Sequence, residues 1–234
     1  MDFLSNYQKK IWQSSASLNN NILISYVKPA KTARILDIGF FRGILVVERF
    51  KNIKNPHIHA VDIDDEAISS AKKLGIKTKK INIEKGFPYK SNFFDIVSAN
   101  QIIEHLVDVD LFMEEIYRVL KPNGYLLLST ENLSSWHNLF ALLMGWQAFS
   151  QHISHLKNIG NPLRIWGNSI GEDIHRQIFT PRGLMELTKI HRLKIEKSFG
   201  AGYYPFWGSL SKIFSKIDPT HCAFIGLKAR KIAK

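Results

Sequence analysis

Ala33-Arg-Ile-Leu-Asp-Ile-Gly-Phe-Phe-Arg-Gly43 is the stretch that decides the fold. A short apolar run ends on a glycine, and Ile44 to Phe50 then reads as a helix, so the chain passes from strand to turn to helix. His57-Ile-His-Ala-Val-Asp62 is a second strand. Asp65 to Leu74 follows as a helix, with Ala67, Ile68, Ala71 and Leu74 at helical spacing and Asp64 placed to cap it. Lys79 to Ile83 reads as a third strand and Phe94 to Ala99 as a fourth. Leu111 to Leu120 is a helix closed by Lys121-Pro-Asn-Gly124, and Tyr125 to Thr130 a fifth strand. Upstream, residues 1–30 form a polar helical lead-in with Phe3, Tyr7, Ile11 and Trp12 at three-to-four spacing, ending near Lys28-Pro29. Strands alternating with helices of this length predict a parallel sheet with helices on both faces.

Bulk properties agree with a single α/β domain. The chain is 45% hydrophobic and 22% charged over 234 residues, ordinary values that allow a sizeable core. No apolar run reaches the ~18 residues of a membrane span, and MDFLSNYQKK lacks the order of a secretory signal, so a cytoplasmic location is expected. Cys222 alone offers neither an internal disulfide nor a cysteine metal cluster. The net charge is +12, and residues 182–234 hold 11 Lys/Arg against 3 Asp/Glu, so most of the excess lies there. Such a surface attracts anionic partners or simply keeps the chain dissolved.

Ligands of parallel sheets sit beyond the strand C-termini, so the residues after each strand carry the interest. Gly39 lets the backbone turn and approach a ligand without a Cβ in the way. Asp62 ends the second strand, where a carboxylate can accept from both ribose hydroxyls, and 23 residues separate it from Gly39. Together these point to a nucleoside cofactor. The spacing Gly39-x-x-x-Gly43, with Phe40 and Phe41 inside it, is not the G-x-G-x-x-G of a pyrophosphate site, which argues against NAD.

Ile35-Leu-Asp-Ile-Gly39, Ala60-Val-Asp-Ile-Asp64, Phe94-Asp-Ile-Val97, Ile103-Glu-His-Leu106 and Leu120-Lys-Pro-Asn-Gly-Tyr125 occur in order over about ninety residues. In this the chain resembles class I S-adenosylmethionine-dependent methyltransferases, specifically the type 11/12/23-like branch often found near polysaccharide and lipid-linked sugar pathways. The likeness continues through Glu131-Asn132, Gly145-Trp-Gln147, His175 to Leu187 and Gly202-Tyr-Tyr-Pro205. It implies a Rossmann-like fold: a seven-stranded, mostly parallel sheet with helices on both faces and a helical cap inserted after the fifth strand. The implied layout is a lead-in at 1–30, a cofactor-binding core at 31–131, a cap at 132–180, and a C-terminal helix with the final strands at 181–234. It implies S-adenosylmethionine as cofactor. Asp37 and the backbone at Gly39 and Gly43 would hold the methionine end, Asp62 the ribose and Ile63 the adenine face. Asn82 and Ile83 would meet the adenine edge, and Asn100 and Gln101 would line the floor beneath the sulfonium. One departure stands out: Phe40 and Phe41 replace a small residue and a glycine, which leaves a weakly binding or non-catalytic relative as an alternative.

Methyl transfer from a sulfonium needs a nucleophile held in line and water kept out. A hydroxyl acceptor also benefits from a general base. His105, His137, His152, His155 and His175 are the candidates, with His175 first and His105 second. Arg176 could clamp an anionic group on the acceptor. No Cys/His spacing suggests a metal, and none is expected. Residues 132–172 depart from the βα rhythm and carry Trp136, Phe140, Trp146, Phe149 and Trp166, as a substrate lid or a packed cap would. Trp207 to Ile217 places Leu210, Ile213, Phe214 and Ile217 on one helical face. The core-facing reading ranks first, and contact with an anionic membrane second. The acceptor read from all this is a small molecule or glycan, anionic or lipid-linked, attacked through oxygen. An RNA or protein acceptor ranks lower, because no separate binding module is visible.

Overall fold

The computed structural model describes residues 2–40, 44–163 and 174–233. Gly43, Phe41, Arg42, Trp166 and Glu172, singled out from sequence, lie outside them. The chain runs α1 (Asp2–Tyr26), β1 (Ala30–Ile38), α2 (Ile44–Arg49), β2 (Ile53–Asp62), α3 (Asp65–Lys73) and β3 (Lys77–Lys80). It continues through β4 (Phe94–Asn100), α4 (Val109–Val119), β5 (Leu120–Glu131) and α5 (Trp136–Leu143). The last elements are α6 (Pro181–Ile190), β6 (Leu193–Ala201), α7 (Gly208–Ile217) and β7 (Phe224–Lys231).

The seven strands form one sheet in the order β3-β2-β1-β4-β5-β7-β6. All pairs are parallel except those of β7, which runs antiparallel to both β5 and β6. This is the Rossmann-like α/β architecture expected, and strand order reverses between β1 and β4, the place beyond whose C-terminal ends such sheets bind ligands and which is called the cleft below. Each central strand is apolar on both faces. Leu36 and Ile38 of β1, Val97 and Ala99 of β4, and Leu126 and Leu128 of β5 pack with Phe112, Met113 and Ile116 of α4 and Leu184 of α6. The alternate residues Ile35, Ile96 and Leu127 pack with Leu23 of α1, Val46 of α2 and Ala67 of α3. Two-sided burial is why the strands read as continuous apolar runs rather than alternating ones.

Capping follows the local sequence. Asp64 Oδ1 accepts from the Ala67 amide at 2.6 Å to start α3, and Asp108 Oδ1 accepts from the Leu111 amide at 2.8 Å to start α4. Thr180 Oγ1 does the same for α6, whose first residue is Pro181.

Three expectations need correction. β3 ends at Lys80, and Ile83 begins a short 3-10 turn instead of closing the strand. Trp12 is exposed, because the buried stripe of α1 runs Ile11, Ser15, Asn19, Leu23, Val27 at steps of four. The third concerns α7, whose apolar face turns outward. Leu210, Ile213 and Ile217 are all exposed, the last 71%, whereas Phe214 is half-buried and stacked on Tyr203 and Phe206, and Ser211 and Ser215 form the buried side. The serines win that position because the neighbouring backbone is close and polar: Ser211 Oγ accepts from the Tyr203 amide at 2.8 Å. Among the described residues no helix is long and apolar enough to cross a membrane.

Candidate active site

The ends of β1, β2 and β3 make one edge of the cleft. Gly39, just past β1, has φ +67 and donates its amide to Val61 O at 3.0 Å. A Cβ there would stand 2.7 Å from Ile102 Cδ1, so backbone conformation and space both require glycine. Asp62 ends β2 half-exposed, and its Oδ1 accepts from the amides of Ile63 and Asp64 at 2.8 and 3.0 Å, which fixes the carboxylate at the rim. Ile63 beside it is 64% exposed. Asn82 sits next along the edge, its carbonyl accepting from the Glu84 amide at 2.9 Å, with Ile83 packed on the core behind it. A rigid carboxylate for a diol and an uncovered apolar side chain for a ring together fit an adenosyl group. Phe40 is buried in the α1–α2 core and takes no part in the cleft.

Asp37 is placed differently from the expectation. Its carboxylate is buried and ion-paired with Arg49 Nη1 at 2.8 Å, and the same nitrogen donates to Ser98 Oγ at 2.8 Å. Burial pushes its carboxyl above the usual range, with Arg49 opposing. Asp37 therefore sits beneath the turn as a buried brace. Arg49 Nη2 extends the brace to Asn20 of α1 at 3.2 Å. Asn100 joins it, accepting from Asn19 Nδ2 at 2.8 Å and donating to Asn20 Oδ1 at 3.3 Å.

The ends of β4 and β5 make the opposite side. Gln101 turns the chain at φ +56, rare for a residue with a Cβ, and donates its amide to Ser129 O. Its surroundings set the side-chain amide with nitrogen toward Glu104 Oε1 at 3.1 Å and oxygen toward the Thr130 amide at 3.2 Å. Glu104 is fully buried, and its other oxygen accepts from Thr130 Oγ1 at 2.8 Å. Burial pushes its carboxyl up to about 7. Glu131, whose Oε2 accepts from Ser150 Oγ at 3.0 Å, is pushed up to about 8 by desolvation and by the charge of Glu104.

The residues around position 175 reach this place through the backbone. The carbonyl of Glu104 accepts from the amides of Arg176 at 2.7 Å and Gln177 at 3.1 Å. Gln177 Nε2 donates to the carbonyls of Leu106 and Val107. His175 thus stands over His105 with ring centroids 4.9 Å apart, and His152 is 5.1 Å from His175 on another side. Burial and the neighbouring His105 pull His175 down to about 4, so its ring is neutral near pH 7. His137 packs against Tyr204 at 4.7 Å, and burial pulls it down to about 3. His155 is exposed. Of the five candidate histidines, the fold gathers His105, His152 and His175.

Residues 36–128 match the family model described as Methyltransferase domain. Over this stretch the chain is similar to methyltransferase domains. An uncharacterized methyltransferase of Schizosaccharomyces pombe is 33% identical over 126 residues, covering 48% of this chain and 44% of that protein. A ubiquinone biosynthesis O-methyltransferase of Bradyrhizobium diazoefficiens is 28% identical over 179 residues, covering 74% of this chain and 63% of its own length. The chain therefore spans about half to two thirds of those curated relatives. The crystal structure of a SAM-dependent methyltransferase from Thermotoga maritima superposes with a TM-score of 0.62 at 16% identity, over 98% of this chain and 96% of that one, a likeness of fold. S-adenosylmethionine is the cofactor of such domains, and the edge formed by Gly39, Asp62 and Ile63 is suited to it.

Sequence reading missed Ser15, Asn19 and Asn20, because polar residues inside a helical stripe look like breaks in it. Arg49 was passed over inside a short helix, and Glu131 was noted only as part of a motif. The signal for Arg49 was available: a buried strand carboxylate needs a cation, and Arg49 lies one helix away.

Proposed function

We propose that this domain transfers a methyl group from S-adenosylmethionine to a hydroxyl oxygen of a small acceptor. The observation that carries the reading is that His105 and His175, from segments seventy residues apart, are brought into edge-on ring contact just beyond β4. β4, which His105 follows, is the sheet neighbour of β1, which ends at the turn of Gly39. S-adenosylmethionine supplies an electrophilic methyl on a positively charged sulfur. As the acceptor oxygen's lone pair forms the C–O bond, the C–S pair returns to sulfur and the hydroxyl proton must leave. In both histidines Nδ1 faces a carbonyl oxygen, Ile174 O at 3.1 Å and Ser150 O at 2.8 Å, so Nε2 carries the lone pair that handles that proton. Asp62 would hold the ribose and Ile63 the adenine, with Asn82 and Ile83 at its edge. Gly39 would admit the methionine end, and Asn100 and Gln101 would line the floor. Asp37 contributes by bracing the turn through Arg49.

The similarity to ubiquinone biosynthesis O-methyltransferases supports an oxygen nucleophile on a small molecule. An acceptor borne on a lipid, with a glycan or ring carrying the hydroxyl, is supported by the outward apolar residues. Phe140, Leu143 and Met144 lie on and just after α5, and Leu210, Ile213 and Ile217 lie on α7. The two helices meet where Trp136 Nε1 donates to Asp218 Oδ2 at 3.0 Å. Lys212 and Lys216 accompany the exposed face of α7, which has no acidic residue, as an anionic bilayer would require.

The test is formation of S-adenosylhomocysteine with a panel of phenolic, catecholic and sugar-hydroxyl acceptors, free and in anionic vesicles. Turnover with a hydroxyl acceptor, enhanced by vesicles, is expected. Binding of the cofactor without turnover on any hydroxyl would overturn the reading.

A further inference from the structure

We propose that Glu104, His105 and His175 hold a divalent transition-metal ion of zinc type, with a coordination position left open. One carboxylate oxygen and one ring nitrogen from each histidine lie within 4.8 Å of one another. Ligands about 2.0–2.2 Å from a shared zinc ion stand roughly 3.4 Å apart in a tetrahedral shell. The sequence reading expected no metal, because these ligands come from two distant segments and show no ligand spacing.

Three features mark this as a prepared site. First, each imidazole donates Nδ1–H to a backbone carbonyl, since a carbonyl can only accept. That fixes the lone pair on Nε2 and orients both rings, the outer support metal-bound histidines usually have. Second, both oxygens of Glu104 are held from behind, by Thr130 Oγ1 and by the Gln101 amide, which aims the carboxylate while leaving each oxygen a further lone pair. Third, Glu104 O accepts the Arg176 amide, so the backbone itself clamps the two halves of the ligand set together. His152 shows the contrast. Its Nδ1 accepts the His175 backbone amide at 3.1 Å, so that nitrogen is committed and the ring serves as support.

Two imidazoles and one carboxylate favour zinc, iron or manganese over the all-oxygen shells of magnesium and calcium. Three protein ligands leave a coordination position for another group. An acceptor hydroxyl bound there would lose its proton to water more readily, its oxygen then attacking the methyl as the C–S bond breaks. With the ion in place His105 and His175 act as ligands, and the ion takes over ionising the hydroxyl. The catalytic part of this inference rests on the methyl-transfer reading, whereas ion binding does not.

Full-length, chelator-stripped protein is titrated with zinc sulfate by calorimetry and with cobalt(II) by visible absorption, without S-adenosylmethionine. One ion per chain is expected. His105→Ala and His175→Ala should each weaken binding by more than the about 10–100-fold typical of outer support residues, and His155→Ala should leave it unchanged. X-ray absorption at the zinc edge of the wild-type protein should show two imidazoles, a readout independent of whether the variants fold. No binding by folded wild-type protein, binding that survives both alanine variants, or a shell without imidazole would overturn the proposal. Methyl transfer that persists in metal-free protein would overturn the catalytic part and leave the methyl-transfer reading intact. Stoichiometric zinc without any methylation would break the methyl-transfer reading instead.

Discussion

The two sides of the cleft are built in opposite ways. On the side proposed for the cofactor, each residue stands at the end of its own strand: Gly39 after β1, Asp62 on β2, Asn82 after β3. Local turns fix them, as when Asp62 accepts from the two amides that follow it. On the side proposed for the acceptor, Glu104, His105, Glu131, Ser150, His152 and His175 arrive from segments far apart and are held by backbone and side-chain bonds across the gaps. The first side is legible one motif at a time, whereas the second exists only after folding. Under the proposed function, chemistry that varies with substrate falls where long-range packing, and not a strand end, sets the geometry.

The largest effect should separate the two sides. His175→Ala is expected to lower turnover by roughly 10²–10⁴-fold while leaving S-adenosylmethionine affinity unchanged, measured by steady-state kinetics beside calorimetry. Equal losses in both would show that the sides are one unit. Next is the brace beneath the cofactor turn. Arg49→Ala strands the buried Asp37 carboxylate and should cost about 3–5 kcal/mol in urea unfolding, and adding Asp37→Asn should restore part of it. If the single variant unfolds like wild type, the brace is not structural. Asp62→Ala should weaken cofactor binding by about 1.5–3 kcal/mol for each bond lost to the carboxylate, with turnover at saturating cofactor less affected. Unchanged affinity would remove the ribose assignment.

A fourth prediction concerns pH. His137 is pulled from 6.5 down to about 3 by burial, so the unfolded chain takes up a proton that the folded one refuses. Its contribution to stability is complete above pH 6.5 and is lost as pH falls from there toward about 3. His137→Gln should flatten that acid limb in denaturation curves taken between the two values; an unchanged slope would show that the ring is protonated in the fold. The smallest effect belongs to α7. Leu210→Ser, Ile213→Ser and Ile217→Ser should each change stability by no more than about 0.5 kcal/mol yet reduce flotation with anionic vesicles. A loss of several kcal/mol would place that face in the core after all.

The same contrast explains what could be read beforehand. The parallel sheet, its helices and the nucleoside edge follow from strand-length apolar runs and the glycine and carboxylate after them, all local in sequence. The reading of α7 failed because an amphipathic pattern says which residues share a face without saying which face is covered, and here the serines are covered. The role of Asp37 was misplaced because a partner twelve residues on, Arg49, changes what its carboxylate can reach. The pairing of His105 with His175 depends on Glu104 O capturing two distant amides, and no periodicity encodes that.

The polar middle of α1 has a practical consequence for anyone dissecting this protein. Asn19 and Asn20 tie Asn100, Ser129 and Arg49 into one lattice, although the family match begins only at residue 36. A protein begun at the first recognised residue would keep every signature motif but Ile35. It would still lose a cross-beam, leaving Arg49, Asn100 and Ser129 without the asparagine partners that tie β1, β4 and β5 to one helix.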